Sequence, residues 1–188
     1  MKVLSLFASP RPGGFSTLIH EILVERLEKA GASVTSLRVS DLAVSPCTAC
    51  AYCRTHESCI IRDEMDRLYS LFRESDIISI SSPIYFSSLP AGLKAIIERC
   101  QVFWEERERG ERSLRGMRGS LILTGGGDYQ GMFTPSILTL RHLFNSTGVE
   151  YDESRYILLA RTDTLSSLPE DMIVRAGKLA EYFVSTFH

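Results

Sequence analysis

The sequence predicts an α/β fold in which a doubly wound, five-stranded parallel sheet lies between two layers of helices, a three-layer α/β/α arrangement. The prediction rests on alternation and on length. Short apolar runs rich in branched residues, such as Lys2 to Phe7, alternate with longer segments of helical periodicity. The 188 residues contain five such alternations without an internal repeat or linker, which indicates one domain over residues 1–188.

Each predicted element has a local signal. The first helix carries its apolar residues on one stripe, and Gly31 follows its end as a C-terminal glycine should. Asp63 is the expected N-cap of the second helix, and Pro169 opens the last. The predicted strands are Lys2 to Phe7, Ser33 to Val39, Asp76 to Ser81, Ser120 to Thr124 and Arg155 to Ala160; the predicted helices are Phe15 to Ala30, Asp63 to Phe72, Ala91 to Arg107, Thr134 to Asn145 and the segment after Pro169.

Strict alternation of five strands and five helices matches the flavodoxin-like strand order 2-1-3-4-5 better than a six-stranded dinucleotide fold. In such a sheet, ligands bind beyond the carboxyl ends of the strands, where the strand order reverses. We therefore expect a ligand at the loops after strands 1, 3 and 4.

Composition excludes several classes of protein. The 21 basic residues are slightly outnumbered by 23 acidic ones, which argues against a nucleic-acid partner. The charge run from Glu105 to Arg118 mixes both signs and predicts a solvated helix end and loop. No apolar stretch approaches the roughly 20 residues of a membrane span, and the first apolar run is too short for a signal peptide. We expect a cytoplasmic protein without a membrane partner.

The loop from Ser9 to Thr17 has the character of a phosphate site. It holds two glycines and two prolines and leads into a helix, whose N-terminus offers free N–H groups and a partial positive charge. Hydroxyl groups and Arg11 add further donors. The loop lacks the nucleoside-triphosphate and dinucleotide spacings, so a terminal monophosphate, as in FMN, fits it. The alternative is a tight turn with a simple helix cap.

Two further loops suit a planar ring. The loop from Pro83 to Pro90 carries the adjacent aromatics Tyr85 and Phe86, of which we expect one to point into the core and the other to meet the ring. The turn from Thr124 to Gly131 brings bare backbone close to a ligand, and its N–H groups suit a flavin's pyrimidine edge.

The three loops together resemble those of the NADPH-dependent FMN reductase family, and the cysteine segment resembles its iron-sulfur flavoprotein branch. The resemblance covers nearly the whole chain. It implies FMN held by these loops and a homodimer or homotetramer whose subunits help enclose the flavin. The expected cofactor-binding residues are Ser9, Arg11, Gly14, Phe15, Ser16, Thr17, Pro83, Ile84, Tyr85, Phe86, Ser87, Thr124, Gly125, Gly126, Gly127 and Asp128. No side chain is expected to be catalytic, because the flavin carries the chemistry.

The loop inserted after strand 2 is a candidate metal site. Cys47, Cys50, Cys53 and Cys59 form C-x2-C-x2-C-x5-C, a spacing with which three thiolates can wrap one face of a cubane while the fourth returns to it. Empty thiols or a chance disulfide, and a closed tetrahedral zinc site, are the alternatives. Cys100 lies apart from the run and is interpreted as a packing residue.

Two functions follow from these expectations. The first is an FMN-dependent oxidoreductase that passes electrons from NADPH or NADH through FMN to a small acceptor such as a free flavin or a quinone. The second is an iron-sulfur flavoprotein electron carrier that takes electrons from ferredoxin through a [4Fe-4S] cluster.

Overall fold

A computed structural model describes residues 1–111 and 116–187. It contains a parallel sheet between two helical layers, with the strand order β2-β1-β3-β4-β5 and β6 also paired to β4, which confirms the predicted fold. The strands are β1 Lys2–Phe7, β2 Ser33–Arg38, β3 Ile77–Pro83, β4 Met117–Thr124, β5 Val149–Glu150 and β6 Tyr156–Leu159; the helices are α1 Phe15–Lys29, α2 Met65–Glu74, α3 Ala91–Arg99, α4 Gln101–Glu108, α5 Thr134–Thr147 and α6 Glu170–Thr186.

Two apolar cores cover the two faces of the sheet. On one face, α1 and α6 bury residues such as Leu23 and Phe183 against β1, β3, β4 and β6. On the other face, α2, α3, α4 and α5 bury residues such as Phe72, Phe103 and Phe144. Strands buried on both faces read as continuous apolar runs, which is why these strands were visible in the sequence.

The strand that pairs with the outer side of β4 was predicted as one strand from Arg155 to Ala160, and the structure differs here. Two short strands fill this position in succession, because β5 pairs with the start of β4 and β6 with its end. Between them the Asp152 side chain accepts a hydrogen bond from the Ser154 N–H and caps a 3-10 turn, which interrupts the extended backbone. The predicted topology is kept, but one strand becomes two.

The prediction of one helix from Ala91 to Arg107 is wrong at Cys100. There ψ is 2°, and the helix divides into α3 and α4. The break leaves Arg99 buried and aimed at the cysteine loop, while Cys100 packs in the core as predicted. The second helix begins at Met65, two residues later than expected, although Asp63 still accepts a hydrogen bond from the Met65 N–H.

The segment from Glu105 to Arg118, which was predicted to be a solvated helix end and loop, is only partly exposed. The Glu106 side chain is buried and forms an ion pair with Arg73, and β4 already begins at Met117. Residues 112–115 of this segment lie outside the described part of the chain. Within the described residues, no helix has the length and apolar character needed to cross a bilayer.

Candidate flavin site and cysteine cavity

The loop after β1 presents the N-terminus of α1 to a cavity. The Ser9 hydroxyl accepts a hydrogen bond from the Arg11 N–H at 3.2 Å, which folds the loop back on itself. Gly13 has a φ of 72°, which favours glycine, and Gly14 occupies the N-cap without a side chain to cap the helix. The first N–H groups of α1 therefore have no acceptor within the helix, an arrangement that suits an anion.

One hydroxyl group of the first turn of α1, that of Ser16, lines the same cavity. Ser16 and Thr17 are buried, and the Thr17 hydroxyl has no hydrogen-bond partner among the described residues. Thr17 itself does not line the cavity, so Ser16 is the hydroxyl of this turn that can bond a ligand there. Arg11 is exposed at the mouth of the cavity, where a guanidinium can pair with a phosphate.

The glycine turn after β4 is joined to the loop after β6 by main-chain hydrogen bonds. The Gly125 N–H donates to the Leu159 carbonyl at 2.9 Å, and the Thr162 N–H donates to the Gly125 carbonyl at 3.1 Å. The Arg161 N–H donates to the Gly127 carbonyl at 2.9 Å. A Cβ added to Gly125 would lie 3.0 Å from Met132, so the turn has little room for side chains. These bonds make the two loops one wall of the cavity, which we call the glycine wall.

The loop after β3 forms a tight hairpin, which corrects the expectation that Tyr85 or Phe86 points into the core. Tyr85 and Ser88 exchange both main-chain hydrogen bonds at 2.9 Å, and the two residues between them, Phe86 and Ser87, both have positive φ. Phe86 is fully exposed, because a two-residue turn projects its central side chains away from the sheet, and the flanking Tyr85 is exposed as well. Ser87 is tied to the Tyr129 hydroxyl at 2.6 Å.

One cavity of about 340 Å³ brings most of these predicted residues together. Thr162 and Asp163 also line it and were missed, since no motif marks them; their position after a strand beside β4 was the available signal. The predicted residues that line the cavity are Ser9, Arg11, Gly14, Phe15, Ser16, Pro83, Ile84, Tyr85, Thr124, Gly125 and Gly126, whereas Thr17, Phe86, Ser87, Gly127 and Asp128 do not.

The four cysteines of the inserted loop line a second cavity of about 200 Å³. All are free thiols, and the loop reverses direction at Ala49 and Ala51, which have φ of 54° and 60°. Among the described residues, no three or more His, Cys, Asp or Glu side chains are gathered closely enough to hold a metal ion. The thiols share a cavity without being drawn together around its centre.

Charged groups surround the cysteine cavity. Burial and the nearby Glu105 carboxylate both raise the pKa of the Cys53 thiol. Arg99 also lines the cavity, with its guanidinium paired to Asp63 at 2.8 Å. As the loop stands, Cys53 is held as a thiol rather than a thiolate.

A family of known proteins matches most of this chain. The family model for NADPH-dependent FMN reductase matches residues 1–148. The chain belongs to the NADPH-dependent FMN reductase family. Among curated relatives, an iron-sulfur flavoprotein of Methanosarcina thermophila is 31% identical over 126 residues, covering 67% of this chain and 64% of the relative.

Two further comparisons extend over more of the chain. An FMN-dependent NADH:quinone oxidoreductase of Pelagibacter ubique is 29% identical over 167 residues, covering 80% of this chain and 85% of the relative. The structure of an NAD(P)H:quinone oxidoreductase from Methanothermobacter marburgensis superposes with a TM-score of 0.74 at 18% identity, covering 97% and 96% of the two chains, which shows the shared fold. The chain spans only 51% to 64% of the length of three iron-sulfur flavoproteins that it matches.

Proposed function

We propose that this chain is an FMN-dependent oxidoreductase that takes electrons from NADPH or NADH and passes them to a small acceptor such as a free flavin or a quinone. The observation that carries the proposal is the single cavity joining the open N-terminus of α1 to the glycine wall. One end suits a phosphate and the other a planar heterocycle. The relatives named for NAD(P)H oxidation support the same class of reaction.

The chain's own residues hold and orient the cofactor in this proposal. The N–H groups at the start of α1, with Ser9, Ser16 and Arg11, bind the FMN phosphate. The N–H groups of the glycine turn face the pyrimidine edge, and Tyr85, which lines the cavity, lies beside the ring. When bound, FMN supplies the redox chemistry by accepting a hydride and releasing electrons to the acceptor.

Location and assembly belong to the same proposal. The protein works in the cytoplasm as a homodimer or homotetramer. The exposed aromatic side chains of Tyr85, Phe86 and Tyr129 support this assembly, since they lie on neighbouring loops joined by the Ser87–Tyr129 hydrogen bond and exposed apolar patches commonly mark interfaces. A neighbouring copy seated there would help to enclose the flavin.

A second candidate function is that of an electron carrier that receives electrons from ferredoxin. The four thiols that line one cavity favour it, and their number suits a [4Fe-4S] cluster held by Cys47, Cys50, Cys53 and Cys59. Four cysteine thiolates are the type of ligand that such a cluster needs. The four thiols must first be drawn together and deprotonated, which requires the loop to close around the cluster.

One anaerobic preparation tests both candidates. NADPH or NADH in stopped flow should bleach the flavin absorbance of the protein, and the Cys50→Ser variant should bleach at the same rate. If a cluster is present, iron and acid-labile sulfide reach about four each per chain. They are then lost in Cys50→Ser and kept in the control Cys100→Ser, whose thiol lies outside the cavity.

The outcomes separate the two functions. Absence of bleaching with both nucleotides refutes the reductase. Absence of iron from protein prepared without oxygen refutes the cluster-bearing carrier. Bleaching in protein without iron leaves the reductase alone.

A further inference from the structure

The loop after β6 holds an acidic side chain against the glycine turn. Asp163 lies in a 3-10 helix, Thr162–Thr164, that begins just after Arg161. Arg161 adopts the left-handed conformation with φ of 58°, and its side chain donates to the Asp128 carboxylate at 2.6 Å. Together with the main-chain bonds between Gly125 and Thr162 and between Gly127 and Arg161, this ion pair fixes the position of the loop.

The Asp163 carboxylate occupies the space that a side chain at position 126 would need. A Cβ added to Gly126 would lie 2.2 Å from the Asp163 Oδ2 atom, far inside van der Waals contact. Within the described residues, the Asp163 carboxylate takes part in no hydrogen bond or ion pair, although it lines the cavity. An exposed carboxylate with no partner in the described part of the chain therefore lies against Gly126, in the wall where the heterocycle is expected.

In this wall some of the main-chain carbonyls have hydrogen-bond partners among the described residues, and some of the N–H groups have none there. The carbonyls of Gly125 and Gly127 already accept bonds from the loop after β6, whereas the N–H groups of Gly126 and Gly127 have no acceptor among the described residues. The wall thus offers main-chain donors, and Asp163 is its free charged acceptor. The pyrimidine edge of a flavin has the complementary pattern, with two carbonyl oxygens on either side of one donor, N3–H.

We propose that Asp163 accepts the hydrogen bond from N3–H of the flavin and so recognises the pyrimidine edge. The inference rests on the proposed FMN function and adds a binding residue to it. The cavity then has a positive end, formed by the α1 N-terminus and Arg11, and a negative end at Asp163. Because a phosphate is repelled by the negative end, the same carboxylate fixes which way round the cofactor lies.

A flavin analogue isolates this contact. The wild-type apoprotein and the Asp163→Ala variant are titrated with FMN and with 3-methyl-FMN, in which a methyl group replaces the N3 proton. The wild type should bind 3-methyl-FMN about tenfold more weakly than FMN, since a hydrogen bond to a charged group is lost. Asp163→Ala should bind FMN about tenfold more weakly and should bind both flavins about equally.

A potential measurement gives a second readout. Reduction adds negative charge to the bound flavin, and a neighbouring carboxylate opposes it. Asp163→Asn should therefore favour the reduced flavin about tenfold, which corresponds to about 30 mV in a two-electron potential. Asp171→Asn is the matched control: it removes an exposed acidic charge outside the cavity, so it should leave both readouts unchanged.

Each outcome decides a separate point. Equal discrimination between the two flavins by wild type and Asp163→Ala overturns the role of Asp163 and leaves the proposed function intact. Failure of the wild type to bind FMN at all overturns the proposed function and this inference with it.

Discussion

At the scale of single residues, His20 connects α1 to the central strands of the sheet. It follows Thr17 by one turn of α1, is buried, and stacks on Phe7 with the ring centroids 4.1 Å apart. Its Nδ1 atom lies 2.8 Å from the Ser81 hydroxyl on β3, and its Nε2 atom has no partner among the described residues. Burial lowers the pKa of His20 from 6.5 to about 3, so the ring is neutral in the folded protein.

The buried imidazole predicts a loss of stability in acid. Because the folded-state pKa lies below the ordinary value, the unfolded chain binds the proton first as the pH falls below 6.5. The contribution is fully present above pH 6.5 and declines by about 1.4 kcal/mol for each pH unit down to about pH 3. Urea unfolding at several pH values should show this slope in wild type and in the exposed control His142→Gln. His20→Gln should lack it, and an equal slope in His20→Gln would contradict the assignment.

At the scale of elements, Arg99 ties α3 to the cysteine loop. Its fully buried guanidinium donates to the Ser45 carbonyl at 3.0 Å, to the Ile61 carbonyl at 2.9 Å and to Asp63 at 2.8 Å. Burial opposes the charge of the Asp63 carboxylate, but the hydrogen bonds from Arg99, Ser45 and Met65 outweigh it and lower the pKa of Asp63. One side chain thus fixes both ends of the segment that carries the cysteines.

Removing this side chain should be costly. Arg99→Met leaves the Asp63 charge without its partner, which we expect to reduce the free energy of unfolding by about 3–5 kcal/mol. Lys94→Met is the matched control on the same helix, because it breaks an exposed ion pair with Glu98 and should cost under about 1 kcal/mol. Urea unfolding measures both, and hydrogen exchange at the Ser45 amide should accelerate only in Arg99→Met. Equal losses in the two variants would show that the buried pair does not hold the loop.

These elements also show what the sequence can and cannot predict. Periodicity located α1 and the buried strands, because a helix that buries one stripe and a strand that buries both faces each have a recognisable pattern of apolar residues. The break at Cys100 was not predicted, because it accompanies hydrogen bonds between Arg99 and residues 36 or more positions away, which local sequence does not reveal. Phe86 was misjudged because its turn places non-glycine residues at positive φ, against the usual turn chemistry. Asp163 was missed because only the folded sheet sets it beside Gly126.

At the scale of the whole molecule, the sheet collects loops from distant parts of the chain at one edge. The cavity is lined from the ends of β1, β3, β4 and β6, and its lining residues range from Ser9 to Asp163 in the sequence. The pairing of β1, β3 and β4 places these loops side by side, so the site forms only when the central sheet is complete. A ligand that binds there should therefore stabilise the whole domain rather than one loop.

This coupling makes cofactor binding measurable as thermal stability and identifies which end of the cavity anchors the ligand. FMN at a hundred times its dissociation constant should stabilise the protein by about 2.7 kcal/mol, a rise in melting temperature of about 5–10 °C for a domain of this size. Riboflavin at the same concentration lacks the phosphate that we propose α1 and Arg11 hold, so it should raise the melting temperature by less than about 2 °C. Ser16→Ala should reduce the FMN response, whereas Cys50→Ser, altered in the other cavity, should retain it. An equal response to riboflavin and FMN would mean that the Ser9 to Thr17 loop does not anchor the cofactor.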